Sequence, residues 1–246
     1  GPFEKISGFA RPPAGRVTST NANGFYLSHA TNDAFIAVNR LLKAGDQVQW
    51  VKTPQRIGNR DIAAGSFYIP RRSGTAAKLQ QWANELGLTF EGGSRPKGEV
   101  VALKPIRIGL WDQYGGSMPS GWTRWILEQY EFPFEVVYPG QLDAGNLNAK
   151  YDALLFVSGA IPDAPTQGGG GGGRGRGDQG NQNIPPEFSH MQGRVTAATT
   201  VPQIKAFLEN GGTVLTIGSS TNLAEHLGLP ITDALVEDLN GRTRPL

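Results

Sequence analysis

The stretch from residue 106 to residue 138, IRIGLWDQYGGSMPSGWTRWILEQYEFPFEVVY, constrains the fold of this chain more than any other. It begins with a short apolar run, Ile106 to Trp111, which is typical of a buried strand. A glycine-rich turn follows. Pro119 then opens a helix, because proline is tolerated in the first helical turn, where its missing N–H is not needed. Pro133 ends that helix, and Phe134 to Tyr138 forms a second strand. This order predicts a βαβ unit and therefore a parallel, doubly wound sheet.

The helix of this unit carries Trp122, Trp125 and Ile126 on one face, at the i, i+3, i+4 spacing of an amphipathic helix. Two later apolar runs, Ala153 to Val157 and Thr213 to Ile217, predict the third and fourth strands of the same sheet. We expect a parallel sheet with strand order 2-1-3-4, built from the segments near Val136, Ile108, Leu155 and Leu215.

The rest of the chain predicts a smaller α/β layer before the main domain. Residues 1–24 read as an extended lead-in, residues 25–104 as a small α/β subdomain, and residues 105–246 as a flavodoxin-like domain that is incomplete at its C-terminus. In the subdomain we expect a helix capped by Asn32 and ending at Gly45, and a second helix from Thr75 to Leu86 closed by Gly87. We also expect three short strands and one polar loop: Val48–Val51, Phe67–Ile69, Leu88–Phe90 and the loop Thr53–Gly65.

Composition excludes several classes of protein. The formal net charge is +2, so nothing in the overall charge calls for nucleic acid or an anionic membrane as a partner. No apolar run approaches the roughly 20 residues of a membrane span, so we expect no membrane insertion. Cysteine is absent, which removes disulfides, thiolate nucleophiles and zinc–thiolate sites. The first residues, GPFEKISGFARPP, lack a hydrophobic signal region and read as an internal start.

A low-complexity tract, GGGGGGRGRGDQGNQN, interrupts the main domain within a loop that we place at residues 162–186. Its arginines are compatible with RNA contact, but the tract is single and short and has Asp178 beside it. A surface loop without a helix or core strand explains it better. We therefore expect no nucleic-acid partner, and we expect residues 168–180 to be dispensable for stability.

Ligands of open α/β sheets bind outside the carboxyl ends of the strands, and this rule selects a short set of candidates. They are polar or glycine residues that directly follow the predicted strands: Asp112, Tyr114, Ser158, Gly159, Gly218, Ser219 and Ser220. One interpretation is a cleft whose hydroxyls and glycine N–H groups bind a small polar ligand. The other is that these residues only form tight strand–helix turns.

Ser220 occupies the place of a nucleophile in a strand–turn–helix elbow. The phrase is IGSST and lacks the second glycine of G-x-S-x-G. The nearby histidine, His226, lies on the following helix, where it would point away from the turn. His29 and His190 have no HxxE or HExxH partner, so we expect no metal site in this chain. No G-x-G-x-x-G fingerprint follows the first strand of the main sheet, and the sequence has no phosphate-binding G-x-x-x-x-G-K-[ST] loop. We expect Ser220 to cap its own helix and not to act as a nucleophile.

Three phrases together resemble a known family: KPIRIGLWDQYGGSMPSGWTRWILEQYEFPFEVVYP, YDALLFVSGAIP and VPQIKAFLENGGTVLTIGSSTNLAEHLGLP. They resemble the C-terminal part of large bacterial zinc carboxypeptidases of the carboxypeptidase A-like family. NDAFIAVNRLLKAG and residues 67–87 resemble the region just upstream in those proteins. The resemblance covers nearly the whole chain except the glycine tract.

The resemblance implies a class I glutamine-amidotransferase-like, flavodoxin-like domain that follows a peptidase domain. In that family the zinc-binding HxxE and a later His belong to the peptidase domain, so zinc is expected there and no cofactor is expected in this chain. Active amidotransferases carry Cys in the elbow, where this chain has Ser220, and a later His and Glu that this sequence does not reach. The resemblance also implies an exported, periplasmic or secreted parent and the parent's own peptidase domain as partner.

The sequence therefore favours a non-catalytic accessory region of a zinc metallocarboxypeptidase-like protein, used for packing, substrate placement or contact in a homo-oligomer. Two alternatives remain open. One is a serine hydrolase or transferase that uses Ser220. The other is a peptide- or carbohydrate-binding module whose cleft uses Asp112, Tyr114 and Ser158.

Overall fold

The computed structural model describes residues 14–164 and 184–231, residues 3, 5 and 7–9, and the backbone of two short strands near the C-terminus. The chain divides into two compact units. The first comprises residues 1–105 together with 126–132, and the second comprises residues 106–125 together with 133–246. Both units are α/β, which confirms the predicted fold class.

The first unit is built on a mixed six-stranded sheet with an added hairpin. Its strands are β1 Arg16–Thr18, β2 Gly24–Leu27, β3 Gln49–Val51, β4 Gln55–Ile57, β5 Arg60–Ile62, β6 Phe67–Pro70, β7 Thr89–Gly93 and β8 Val100–Ala102. The sheet order is β1-β7-β2-β6-β3-β8, with β1 and β7 parallel and the other neighbours antiparallel. The remaining two strands, β4 and β5, pair only with each other.

Alternate residues of this sheet face two different layers, as the two-residue period of a strand requires. Phe25 and Leu27 of β2 are buried in a core with the helices α1, Ala34–Lys43, and α2, Thr75–Leu86. Tyr26, between them, faces the opposite side and packs with residues that include Ile62 of the hairpin. Two helices therefore cover one face of the sheet, and the β4–β5 hairpin covers part of the other.

The second helix of this unit matches its prediction from Thr75 to Leu86, and Gly87 closes it with a φ of +67°. Two other expectations are wrong, and one further strand was not predicted. Asn32 does not cap α1, because Asp33 holds the N-cap position and no side chain makes a cap bond. The polar loop predicted at Thr53–Gly65 contains the β4–β5 hairpin, whose three-residue strands are too short to give a clear alternation. The lead-in contains β1, which is recognised only through its parallel partner β7.

The second unit contains the parallel sheet that the βαβ pattern predicts. Its strands are β9 Ile108–Trp111, β10 Phe134–Val137, β11 Ala153–Phe156 and β12 Thr213–Thr216. The order is β10-β9-β11-β12 and every neighbouring pair is parallel, which confirms the 2-1-3-4 arrangement. This topology is compatible with a flavodoxin-like fold. The order of strands reverses between β9 and β11, so this is the topological switch point of the sheet.

The helices in this part of the chain lie between or after these strands, and residues 126–129 of the first of them are grouped with the first unit. They are α3 Met118–Gln129, α4 Pro139–Asp143, α5 Thr200–Glu209 and α6 Leu223–His226, with 3₁₀ turns at Leu147–Ala149, Pro186–Met191 and Gly218–Asn222. The strands β13 Val236–Leu239 and β14 Arg242–Pro245 pair only with each other. Residues 168–180 of the glycine tract lie outside the described residues, so the prediction about them stays a prediction.

The apolar stripe of α3 faces outward. Met118, Trp122 and Trp125 are 79%, 63% and 53% exposed, and the two indole rings contact each other edge to face at 6.1 Å. Ser120 and Leu127, on the other side of the helix, are buried. The spacing of the tryptophans thus identified one helical face correctly, but that face does not belong to a core of the described chain.

Candidate functional site

The candidate residues lie in three loops at the carboxyl edge of the parallel sheet. The loop after β9 holds Asp112 and Tyr114, the loop after β11 holds Ser158 and Gly159, and the turn after β12 holds residues 218–220. The first two loops flank the topological switch point, where ligands of such sheets bind.

Asp112 organises the β9 loop from within. Its carboxyl group is almost fully buried, and Oδ1 accepts hydrogen bonds from the backbone N–H groups of Gln113 and Ser117, each at 2.8 Å. The other carboxylate oxygen, Oδ2, lies 3.8 Å from Nη1 of Arg124 on α3. Asp112 therefore holds the turn and the first turns of the helix together, and its acceptor oxygens are directed to groups of the protein.

Tyr114 connects the same loop to a segment that sequence reasoning missed. Its backbone N–H donates to the carbonyl of Met191 at 3.1 Å, and its ring lies 6.4 Å from that of Phe188. His190 of this segment contacts Tyr138 edge to face at 5.6 Å. The 3₁₀ turn at residues 186–191 thus lies beside the β9 loop. The available signal was the Pro185-Pro186 pair followed by an aromatic residue.

The hydroxyl of Ser220 is fully used by the backbone of the β11 loop. It accepts hydrogen bonds from the N–H groups of Ala160 at 3.2 Å and Ile161 at 3.3 Å, and it donates to the carbonyl of Val157. A serine hydroxyl has one donor hydrogen and two acceptor lone pairs, so these three bonds saturate it. Ser220 is also completely buried.

Two further serines complete the connection between the loops. Ser219 Oγ accepts from the N–H of Gly159 at 2.9 Å, and Ser158 Oγ donates to the carbonyl of Ile217 at 3.4 Å. Gly218 has a φ of +61°, which favours glycine, and a Cβ there would lie 1.9 Å from Ser158 Oγ, so a side chain at this position would displace the Ser158 hydroxyl. We call this set the serine clasp: Ser158, Gly218, Ser219 and Ser220 with the backbone of residues 157–161 and 217.

The serine clasp corrects one expectation about Ser220. Its side chain bonds backbone groups, as predicted, but these belong to the loop after β11 and not to its own helix. Nε2 of His226 lies 2.9 Å from the carbonyl oxygen of Pro162, so this histidine is engaged with the β11 loop. Among the described residues, the hydrogen-bond partners of the Ser220 hydroxyl are all backbone groups, and no base activates it.

The structure thus brings five candidates together and leaves two apart. Asp112 and Tyr114 belong to the β9 loop and its contact with residues 186–191. In the described part of the chain no hydrogen bond joins them to the serine clasp. The clasp contains the other five: Ser158, Gly159, Gly218, Ser219 and Ser220.

A surface cavity of about 480 Å³ in the first unit was not indicated by the sequence. Tyr26, Ile57, Arg60, Glu91 and Gly93 are among the residues that line it. Its charged groups are matched, because Nη1 of Arg60 lies 3.5 Å from Glu91 Oε2. The Tyr26 hydroxyl donates to the carbonyl of Ser94 at 2.8 Å, and burial, with a smaller contribution from Tyr68, raises the pKa of Tyr26 to about 12.

Within the described ranges, no group of three or more His, Asp or Glu side chains is arranged to hold a metal ion. None of the helices in those ranges is both long enough and apolar enough to cross a lipid bilayer.

Comparison with known proteins gives no family model, curated protein or solved structure that matches this chain.

Proposed function

We propose that this chain is a non-catalytic accessory region of a zinc metallocarboxypeptidase-like protein. The observation that carries the non-catalytic part is the saturated hydroxyl of Ser220, which is the residue at the nucleophile position of the elbow. A serine without a positioned base is a poor nucleophile, and one whose donor hydrogen and lone pairs are all bonded to backbone has no free electron pair to present.

The carboxypeptidase part of the proposal is supported by the resemblance of three long phrases to the region that follows the peptidase domain in that family. The parallel sheet in the order β10-β9-β11-β12 is what a flavodoxin-like domain in that position requires. In this proposal the peptidase domain of the parent holds the zinc and carries out the reaction, and this chain has a structural role beside that domain.

The outward face of α3 supports a role in packing. A tryptophan side chain presents roughly 150–250 Å² of surface, and both Trp122 and Trp125 leave more than half of theirs exposed. Contiguous exposed apolar surface of this kind marks interaction sites on soluble proteins. The peptidase domain of the parent is the partner that the family resemblance implies for it.

The test compares this chain with the protein of its complete reading frame. We expect the complete protein to hold one zinc ion per chain and to release C-terminal residues from peptides, and we expect the isolated chain to do neither. Ser220→Ala in the complete protein should leave its specific activity within about twofold once the folded fraction is matched. Metal analysis should use protein purified without a histidine tag.

Two outcomes would contradict this proposal. If the complete reading frame encodes no zinc-binding peptidase domain, the chain is not an accessory region of a zinc metallocarboxypeptidase-like protein. Hydrolytic activity of the isolated chain that disappears in Ser220→Ala would favour the serine hydrolase alternative.

A further inference from the structure

The surface cavity of the first unit has a lining that combines apolar and charged side chains. Tyr26, Ile57 and Ile62 supply apolar surface. Arg60 and Glu91 supply opposite charges, and their side chains are 44% and 38% exposed. The volume of about 480 Å³ lies within the range of roughly 300–1,000 Å³ that small-molecule sites occupy. A ligand that matches this lining must therefore be amphipathic.

The pairing of the strands explains why these residues meet. Ile57 lies opposite Arg60 in the β4–β5 hairpin, and residues directly opposite each other share a face, as do alternate residues such as Arg60 and Ile62. Tyr26 lies opposite Glu91 in the main sheet of this unit, so these two also share a face. The cavity is lined by both faces, one from the hairpin and one from the sheet.

Gly93 brings the hairpin close to the sheet at one end of the cavity. A Cβ at this position would lie 3.0 Å from Tyr26 Cε2 and 3.1 Å from Ile57 Cγ2. Because glycine has no Cβ, the Tyr26 ring and Ile57 pack directly on the strand. This contact fixes the apolar wall of the cavity, which consists of Tyr26, Ile57 and Ile62.

The two charged groups of the lining keep unused hydrogen-bonding capacity. Nη1 of Arg60 lies 3.5 Å from Glu91 Oε2 and 3.5 Å from Thr18 Oγ1, both longer than the roughly 2.7–3.2 Å of a good N–H···O bond. Within the described ranges, Nε and Nη2 of Arg60 and Oε1 of Glu91 have no hydrogen-bond partner. In contrast, Nη2 of Arg40 lies 2.8 Å from Glu131 Oε1 in the same unit. The Arg60 guanidinium can thus bind a carboxylate through two N–H groups, and Glu91 can accept from an ammonium group.

The charge of the lining argues against other classes of ligand. Glu91 would repel a simple anion, and Arg60 would repel a simple cation. A metal ion would find a single carboxylate and no histidine among the described lining residues. Tyr26 is only 3% exposed, and its hydroxyl donates to the carbonyl of Ser94, so the ring offers no open face on which a sugar could stack. A zwitterion with an apolar side chain matches both the charges and the apolar wall.

We propose that this cavity binds a free α-amino acid with an apolar side chain. The carboxylate of the ligand binds Arg60, its ammonium group binds Glu91, and its side chain packs against the apolar wall. Both charged groups of an α-amino acid are attached to one carbon atom, so they lie close together, as Arg60 and Glu91 do. The proposal is independent of the proposed function, because the cavity lies entirely in the first unit.

The first experiment titrates the full 246-residue chain with L-leucine by isothermal titration calorimetry. We expect saturable binding at one site with a dissociation constant of about 10 µM to 1 mM, because so small a ligand can bind only weakly. N-acetyl-leucine lacks the ammonium group and leucinamide lacks the carboxylate. Each should bind at least about tenfold more weakly, because each leaves a like charge unopposed. No saturable binding of leucine up to about 10 mM, or equal binding of the three compounds, would overturn the proposal.

The second experiment repeats the titrations with variants of the charged pair. Arg60→Gln and Glu91→Gln should each weaken leucine binding by about tenfold or more. Arg56→Gln is the matched control, because Arg56 lies on the other face of the same hairpin and is 66% exposed, and it should leave binding unchanged. Circular dichroism checks that the variants remain folded.

The same variants separate direct contact from a structural role of the pair. Glu91→Gln should remove the preference for leucine over N-acetyl-leucine, and Arg60→Gln should remove the preference for leucine over leucinamide. If either variant weakens all three compounds by the same factor, the side chain does not contact the ligand and the proposal is wrong.

Nuclear magnetic resonance locates the site on the folded chain. Addition of leucine should shift the backbone amide signals of Gly58, Gly92 and Gly93, which line the cavity. The signals of Gly140 and Gly211 in the second unit should not move. Leucine binding that leaves the three cavity glycines unshifted would show that another surface binds it, and this would contradict the proposal.

Discussion

At the scale of single residues, the polar groups at the carboxyl edge of the sheet are used by the protein itself. The Ser220 hydroxyl joins the turn after β12 to the loop after β11, and the Asp112 carboxylate holds the β9 loop. Buried polar groups need hydrogen-bond partners, and both side chains have them, which accounts for their burial. The serine clasp is therefore a structural device that fixes two loops at adjacent strand ends.

Substitution of Ser220 measures the energy of the clasp. Ser220→Ala should lower the free energy of unfolding by about 2–4 kcal/mol, because two buried N–H groups and one buried carbonyl lose their partner. Ser219→Ala is the matched control. It removes one exposed acceptor and should cost about 1 kcal/mol or less. Urea unfolding measures both, and a loss below about 0.5 kcal/mol for Ser220→Ala would contradict the clasp.

The sequence predicted which residues follow the strands but not what they bind. Ser220 was correctly expected to bond backbone, yet the helix cap that local sequence suggests is replaced by a contact some 60 residues away along the chain. Long-range partners of this kind depend on strand order and register, which no local pattern contains. Met191, whose carbonyl accepts the N–H of Tyr114, was missed for the same reason.

Two buried tyrosines should lose their protons at a higher pH than free tyrosine does. The stability of the fold should therefore decrease at alkaline pH. Burial raises the pKa of Tyr26 and of Tyr151 to about 12, with smaller contributions from nearby Tyr68 and from Glu135 respectively. In the unfolded chain both titrate near 10. The folded state therefore holds its protons longer, so this contribution to stability is complete below about pH 10 and is lost as the pH rises toward 12.

Tyrosinate absorbance and urea unfolding check this prediction. The free energy of unfolding should be lower at about pH 11 than at about pH 9. Tyr26→Phe should remove part of the late absorbance change. A single tyrosinate transition near pH 10 in the folded protein would contradict the assignment.

At the scale of elements, segments with a clear apolar pattern were predictable, and the three short strands predicted in the first unit are present as β3, β6 and β7. The strand β9 and the helix α2 appear where the apolar spacing places them. The three-residue strands β4 and β5 gave no usable alternation. The helix α3 was located correctly, but its tryptophan face points outward, because an apolar stripe identifies a buried face only when the chain supplies something to bury it against.

The outward orientation of α3 makes a direct prediction about stability. Trp122→Gln and Trp125→Gln should each change the free energy of unfolding by less than about 0.5 kcal/mol, because both side chains are more than half exposed. Leu127→Ala on the same helix is the control. Leu127 is only 9% exposed, so its truncation should cost about 2–4 kcal/mol. Loss of more than about 2 kcal/mol in either tryptophan variant would show that this face packs within the chain.

At the scale of the whole molecule, the two units differ in how their folds follow from sequence. The parallel sheet of the second unit follows from one βαβ segment and two apolar runs, because right-handed crossovers leave few arrangements. The mixed sheet of the first unit pairs segments that are distant in the chain, such as β1 with β7, and only tertiary contacts decide that order. In the second unit, we propose that the elbow serine, Ser220, has a structural role.

Reaction with a fluorophosphonate probe tests that claim most directly, since the probe forms an adduct only with an activated serine. The folded 246-residue chain is incubated with the probe beside an active serine hydrolase as positive control, and peptides that contain Ser158, Ser219 and Ser220 are examined by mass spectrometry. We expect no adduct on Ser220, because its hydroxyl is buried and bonded to three backbone groups. A stoichiometric adduct on Ser220 of the folded chain, absent in Ser220→Ala, would contradict it.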